Sequence, residues 1–121
     1  MNPPRLVIAR GEVWEVRFDP SEGEEIKKTR PAVVMSVPEA GRMPLRIVVP
    51  ITGWQAHFTK YFWMVRLSPS TMNGLSKESV ADTFQIKSVS TNRFRNKIGI
   101  LNADEIEQIA EMIALCVGYP P

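Results

Sequence analysis

Short runs of alternating apolar and polar residues dominate the first two thirds of the chain. In residues 12–18, Trp14, Val16 and Phe18 fall on one side and Val13, Glu15 and Arg17 on the other, the period of two that marks a half-buried strand. Pro20 ends it. Residues 21–29 are polar, with Gly23, Glu22, Glu24, Glu25, Lys27 and Lys28, and the whole 20–29 segment reads as a mobile loop. Residues 31–37 are nearly continuous apolar sequence rich in β-branched side chains, which predicts a buried strand. Pro38, Gly41 and Pro44 then make a loop. Another strand is predicted over 45–52, where Pro50 implies an edge or a bulge near its end. Strands over 61–67 and 79–89 follow, the second after the turn signal Asn73-Gly74.

The pattern changes after residue 100. Asn102 with Glu105 three positions on has the spacing of a capping box. Ile106, Ile109, Ala110, Ile113 and Val117 recur at helical spacing, and Gly118 stands where a helix would end. A helix of about four turns over 103–117 is predicted, its apolar stripe laid on the open face of the sheet. The expected fold is mainly β (α+β): a small, strongly curved antiparallel barrel of five to seven strands with one C-terminal amphipathic helix. Residues 1–6 are expected to be a flexible tail.

Length and composition narrow the chemistry. The 121 residues suit one domain, and a formal charge of +2 points to no partner by itself. One cysteine, Cys116, excludes an internal disulfide, and one histidine, His57, excludes a multi-His metal cage. His57 reads as scaffold and Cys116 as a buried, inert helix residue. No apolar run approaches the roughly 20 residues that span a bilayer, and the run at Leu6–Ala9 is too short for a signal core. A cytoplasmic protein with no membrane association is expected.

Arg30 stands directly before Pro31, whose ring favours extended backbone at Arg30. A guanidinium on such a strand end can present its fork to a phosphate, although the spacing serves equally for a salt bridge to a neighbouring glutamate. Thr52 closes an otherwise apolar strand with a hydroxyl that can donate to a phosphate oxygen. Between residues 83 and 103 the chain carries Lys87, Arg93, Arg95 and Lys97 and no carboxylate. Interleaved with Phe84 and Phe94, this strip suits single-stranded nucleic acid through phosphate attraction and stacking. A solvated edge with buried phenylalanines is the competing reading.

The segments Gly11-Glu12-Val13-Trp14, Phe18-Asp19-Pro20 and Gly23-x-Glu25-x-Lys27-Lys28-Thr29-Arg30-Pro31-Ala32-Val33-Val34 resemble the opening of the MazF/PemK (Kid) family of toxin endoribonucleases. Val49-Pro50-Ile51-Thr52 and Gln85-Ile86-Lys87-Ser88-Val89 resemble two later motifs of that family. The likeness runs from about Arg10 to Gly118. It implies an SH3-like (CcdB/PemK-like) barrel that works as a homodimer and cleaves single-stranded RNA at short motifs without a metal or other cofactor. The implied products are a 2′,3′-cyclic phosphate and a 5′-hydroxyl, and the implied partner is an acidic, MazE-like antitoxin covering the RNA channel. The family's functional residues fall on Arg30, Thr52 and the loop carboxylate Glu25, with RNA contacts expected at Lys28, Gln85, Lys87, Ser88, Arg93 and Lys97. Two departures stand out. Ile26 replaces a glutamine frequent in the family, and Thr83-Phe84 separate Asp82 from Gln85, so no cleavage motif is carried over. The alternatives are a non-enzymatic CcdB-like toxin that binds DNA gyrase, and an inactive RNA-binding barrel.

Overall fold

The computed structural model describes residues 7–40 and 42–120, and the tail expected at residues 1–6 lies outside them. Its strands are β1 (Glu12–Arg17), β2 (Thr29–Val34), β3 (Leu45–Gly53), β4 (Met64–Leu67), β5 (Ser79–Asp82), β6 (Lys87–Ser90) and β7 (Phe94–Ile100), followed by the helix α1 (Ala103–Cys116). All seven belong to one antiparallel sheet in the order β4-β5-β3-β2-β1-β7, with β6 beside β3 off that path. Among the described residues no pairing joins β7 to β4 or β6. The antiparallel sheet with a single C-terminal helix is therefore as expected, while hydrogen bonds do not close it into a barrel.

β3 organises the sheet. One edge pairs with β2, with Ala32 opposite Pro50. The other edge is shared: Leu45–Val48 pair with β6 and Ile51–Gly53 with β5. Pro50 lies between these two stretches, where the chain changes partner and no ladder donor is needed. That is how a proline is accommodated in an interior strand instead of at an edge.

Both faces of the sheet carry a core, which explains why residues 31–37 lack polar alternation. Val13, Val33, Val49 and Ile51 face one cluster, and Trp14, Val16, Ala32, Val34 and Val48 face the other. The helix covers the first face. Ile109 is fully buried there, with Ile106, Ala110 and Ile113 packed around it. Burying one such side chain contributes about 1.5–3 kcal/mol. Asn102 caps α1 as predicted: its side chain accepts from Glu105 N at 2.8 Å, and Asn102 N donates to Glu105 Oε1 at 3.0 Å. The helix ends at Cys116, ahead of Gly118 at φ 80°.

Two predicted strands are shorter in the structure. The 61–67 run is strand only from Met64, and the 79–89 run is broken by a 3-10 turn at Thr83–Gln85. Thr83 is fully buried, and its hydroxyl donates to Trp63 O at 2.7 Å. That long-range bond holds the turn. β7, read from sequence only as a cationic strip, is a seven-residue strand on β1.

The Asn73-Gly74 signal marks a turn packed across β7. The buried Asn73 amide accepts from Ser70 N and Leu75 N, each at 3.0 Å, and donates to Ser68 O at 2.9 Å. Gly99 permits the crossing, because a Cβ there would lie 2.5 Å from Asn73 and Met72 backbone atoms. This packing fixes the segment from Gly74 to Lys77 beside the ends of β2 and β3.

Candidate active site

Arg30 lies opposite Val16 at the start of β2, and Thr52 lies opposite Val80 near the end of β3. Arg30 precedes Ala32 by two residues and Thr52 follows Pro50 by two, so the Ala32–Pro50 register brings them to one level of the sheet. Both line a cavity of about 370 Å³ with Glu15, Ser76, Lys77 and Ser79. Strands hold Arg30 and Thr52, and the Asn73-anchored turn supplies another wall of the cavity. A site built this way is more rigid than one built on loops.

Arg30 is half-buried. Among the described residues its guanidinium makes one hydrogen bond, Nε to Lys27 O at 3.3 Å, and no ion pair. The salt bridge to a loop glutamate that the spacing allowed is not formed. The Thr52 hydroxyl and the Lys77 ammonium likewise have no partner among the described residues. Arg30, Thr52 and Lys77 thus border one open cavity, two cations and a hydroxyl-bearing residue of the kinds suited to an anionic oxygen.

Glu25 is not in that cavity. With Gln85 and Lys87 it lines a second one of about 460 Å³, together with Glu24, Ile26, Phe84 and Ile86. Its carboxylate accepts from Glu22 N at 2.8 Å, within its own loop. The Gln85 side chain ties this loop to the sheet: Oε1 accepts from Ile26 N at 2.5 Å, and Nε2 donates to Glu24 O at 3.3 Å and Asp82 Oδ2 at 3.2 Å. Lys28, exposed at φ 67°, turns the chain into β2 and lends its carbonyl to Phe18 N at 2.8 Å. Lys87 and the exposed Ser88 stand on β6 opposite Val48 and Ile47.

The cationic strip divides. Arg93 clamps the start of the loop by donating to Arg17 O at 3.0 Å and Asp19 O at 2.6 Å. Lys97 Nζ pairs with Glu12 Oε2 at 2.7 Å. Phe94 is buried, edge-on to Trp14 at 5.9 Å, so it offers no stacking face. Phe84 does, being 64% exposed with its ring 5.4 Å from Trp63. His57 is exposed, its ring centroid 4.5 Å from that of Phe58. Cys116 is half-buried on α1, its Sγ 3.7 Å from Thr83 Oγ1.

Two carboxylates are displaced from their ordinary titration. Burial pushes Asp82 up, against the Gln85 hydrogen bond, and its Oδ1 is buried without a hydrogen-bond partner among the described residues. Burial acts the same way on Glu12, but hydrogen bonds from Lys97, Ala9 N and Trp14 outweigh it and the carboxyl ends below the usual range. Among the described residues no cluster of three His, Cys, Asp or Glu side chains is placed to hold a metal ion. No helix among them is long and apolar enough to cross a membrane. Sequence reasoning did not place Glu15 at this cavity, because period-two alternation shows only that it shares a face with Val13.

The family model for the PemK-like, MazF-like toxin of type II toxin–antitoxin systems matches residues 9–117, and the chain belongs to that family. It is 34% identical over 115 residues to the endoribonuclease MazF9 of Mycobacterium tuberculosis, covering 90% of this chain and 95% of that one. Its fold matches that of MazF from Deinococcus radiodurans with a TM-score of 0.77 at 22% identity, covering 94% and 99% of the two chains. It also matches an endoribonuclease from a mycobacterial species in complex with its cognate antitoxin, with a TM-score of 0.73 at 16% identity over 93% and 97%.

Proposed function

We propose that this toxin is an endoribonuclease that cleaves single-stranded RNA by attack of a ribose 2′-hydroxyl on the adjacent phosphorus. The observation that carries the reading is the pairing of Arg30 and Thr52 in one cavity, with nothing acidic neutralising the guanidinium. As the phosphorane-like transition state forms, charge accumulates on the non-bridging oxygens. Donors fixed at that point stabilise it more than the ground state. Arg30 binds the phosphate as a permanent cation, because a guanidinium stays protonated at neutral pH and makes a poor base. Thr52 donates a hydrogen bond to the same phosphate.

The products under this reading are a 2′,3′-cyclic phosphate and a 5′-hydroxyl, formed without a metal ion. Lys28, Lys87 and Ser88 border the path of the RNA, and Gln85 with Glu25 shapes the second cavity beside it. A homodimer acting in the cytoplasm and silenced by an acidic antitoxin completes the proposal. The mycobacterial complex with its cognate antitoxin supports that partner. A gyrase-binding toxin has no need of an unpaired arginine beside a strand-end threonine.

The test is direct. Purified protein is incubated with a single-stranded RNA in EDTA, and fragment ends are mapped by their reactivity with polynucleotide kinase. Fragments with free 5′-hydroxyls and cyclic 3′-ends support the reading. RNA left intact refutes it.

A further inference from the structure

Arg66 of β4 stands in the same row of side chains as Arg30 and Thr52. We infer that its guanidinium, stacked on Trp54, is a second phosphate-binding group that grips the RNA at a phosphate neighbouring the scissile one. This role rests on the RNA cleavage proposed above and adds to it the direction in which the strand crosses the sheet.

The registers place the row. Ala32 opposite Pro50 brings Arg30 level with Thr52. Thr52 faces Val80 across β3 and β5, and Val80 faces Arg66 across β5 and β4. Side chains at facing positions of an antiparallel pair stand on the same side of the sheet, so Arg30, Thr52, Val80 and Arg66 share one face. Val16, opposite Arg30, belongs to the core cluster that the helix does not cover. Val65 and Leu67, which flank Arg66 along β4, belong to the cluster that the helix does cover. Both ends of the row therefore lie on the side of the sheet away from α1. Only β5 separates β3 from β4, which sets the Thr52 and Arg66 backbones about 10 Å apart. That separation suits an adjoining phosphate of the same strand.

The Arg66 side chain is held without being used up. Its Nε donates to Glu78 Oε2 at 3.3 Å, and its guanidinium carbon lies 4.3 Å from the centre of the Trp54 ring. Trp54 is half-buried, edge-on to Phe58 at 6.3 Å, and its N donates to Glu78 O at 3.0 Å. The same Glu78 oxygen also accepts from Ser68 Oγ at 3.1 Å. The terminal nitrogens of Arg66 make no hydrogen bond among the described residues, and the side chain is 54% exposed. An exposed ion pair of this kind adds little to stability. A guanidinium stacked on an aromatic ring and tied at Nε keeps its other edge for a phosphate, in a fixed plane.

The experiment compares the wild type, Arg66→Ala and Arg66→Lys. Binding is measured across salt with an RNA oligonucleotide carrying a 2′-deoxy nucleotide at the scissile position, and again with single methylphosphonates replacing its phosphates one at a time. Steady-state cleavage of the all-RNA form gives kcat and KM, and urea melts report folding. Arg66→Ala should melt like the wild type, bind about tenfold more weakly at low salt, and lower the slope of log affinity against log salt by about 0.7. KM should rise by a similar factor while kcat changes less than about threefold, because the contact is made equally in ground and transition states. Arg66→Lys should recover the slope and only part of the affinity. One methylphosphonate beside the scissile phosphate should weaken the wild type by the same factor and Arg66→Ala by nothing further.

Unchanged affinity and slope in Arg66→Ala overturn the inference, as does a methylphosphonate profile identical to that of the wild type, or a fall in kcat as large as that of Arg30→Ala. Unchanged RNA binding with weaker binding of a polyglutamate peptide would assign Arg66 to a protein partner and overturn it too. If the wild type leaves RNA intact, the proposed function falls and this inference with it. If the wild type cleaves and Arg66→Ala binds as tightly, only the second phosphate contact falls.

Discussion

Lys97 Nζ lies 2.7 Å from Glu12 Oε2, and the other oxygen of Glu12 accepts from Ala9 N at 2.8 Å and Trp14 Nε1 at 3.1 Å. The lysine is thus part of the β1–β7 contact, although its charge invites an RNA-binding reading. Lys97→Ala leaves a buried carboxylate without its cation. It should cost about 1–2 kcal/mol, less than a fully buried pair because the lysine side chain is 48% exposed. Lys87→Ala should instead leave the denaturation midpoint unchanged and weaken RNA binding, lowering the slope of log affinity against log salt by about one. Urea melts and salt-dependent binding of both variants separate the two roles.

The shifted carboxylates give stability two opposite dependences on pH. Glu12 titrates lower in the folded chain than in the unfolded one. Its contribution is present above the ordinary glutamate range and is lost as pH falls through the folded value. Asp82 titrates higher when folded, so the folded state binds its proton more tightly. Its charge becomes a cost as pH rises from the ordinary aspartate range through the raised value. Asp82→Asn should therefore be more stable than the wild type at neutral pH, with the difference vanishing in acid. Urea midpoints measured between about pH 3 and 7 would show the two curves converging at the acid end.

Gln85 spans three partners, and two of them belong to the 20–29 loop. With each hydrogen bond contributing about 1 kcal/mol net, Gln85→Ala should open the loop more readily by one to two orders of magnitude. Trypsin cutting after Lys27 or Lys28 should accelerate accordingly. Cleavage of RNA should fall several-fold while the global denaturation midpoint moves little.

Packing beneath the cavity is separable from the chemistry in it. Gly99→Ala forces the Asn73 turn away from β7, because the added methyl lies 2.5 Å from backbone that cannot rotate aside. It should cost about 1–3 kcal/mol as overpacking and also lower cleavage by displacing the Lys77 wall. Ile109→Ala should cost about 2–5 kcal/mol and leave the rate of the folded protein unchanged. Parallel melts and rates for the two variants test that distinction.

The elements legible in the sequence are those whose local pattern and tertiary surroundings agree. β1 alternates beyond Trp14 because Val16 and Phe18 face the second cluster while Glu15 is only half-buried and Arg17 is exposed, and α1 carries its own cap in Asn102 and Glu105. β7 escaped notice because Arg95 and Lys97 point outward along it, leaving charge as the only visible signal. The break at Thr83 depends on a hydrogen bond to Trp63, twenty residues away in the chain, and no local pattern encodes that. At the site, the resemblance located Arg30 and Thr52, which the Ala32–Pro50 register then brings to one cavity. It also pointed to Glu25, which the loop carries to the neighbouring cavity. That Glu15 lines a cavity was not legible, since only the packing of the Asn73 turn makes its face of β1 part of one.

Under the proposed function, cleavage depends most on the arginine at the start of β2. The measurement that tests it is the single-turnover rate at which Arg30→Ala, shown to be folded and to melt like the wild type, cleaves an RNA oligonucleotide in EDTA. Removing one preorganised donor to a transition state costs on the order of 10²–10³-fold, and a loss of at least that size is predicted. Cleavage by Arg30→Ala within a few-fold of the wild-type rate would contradict the account.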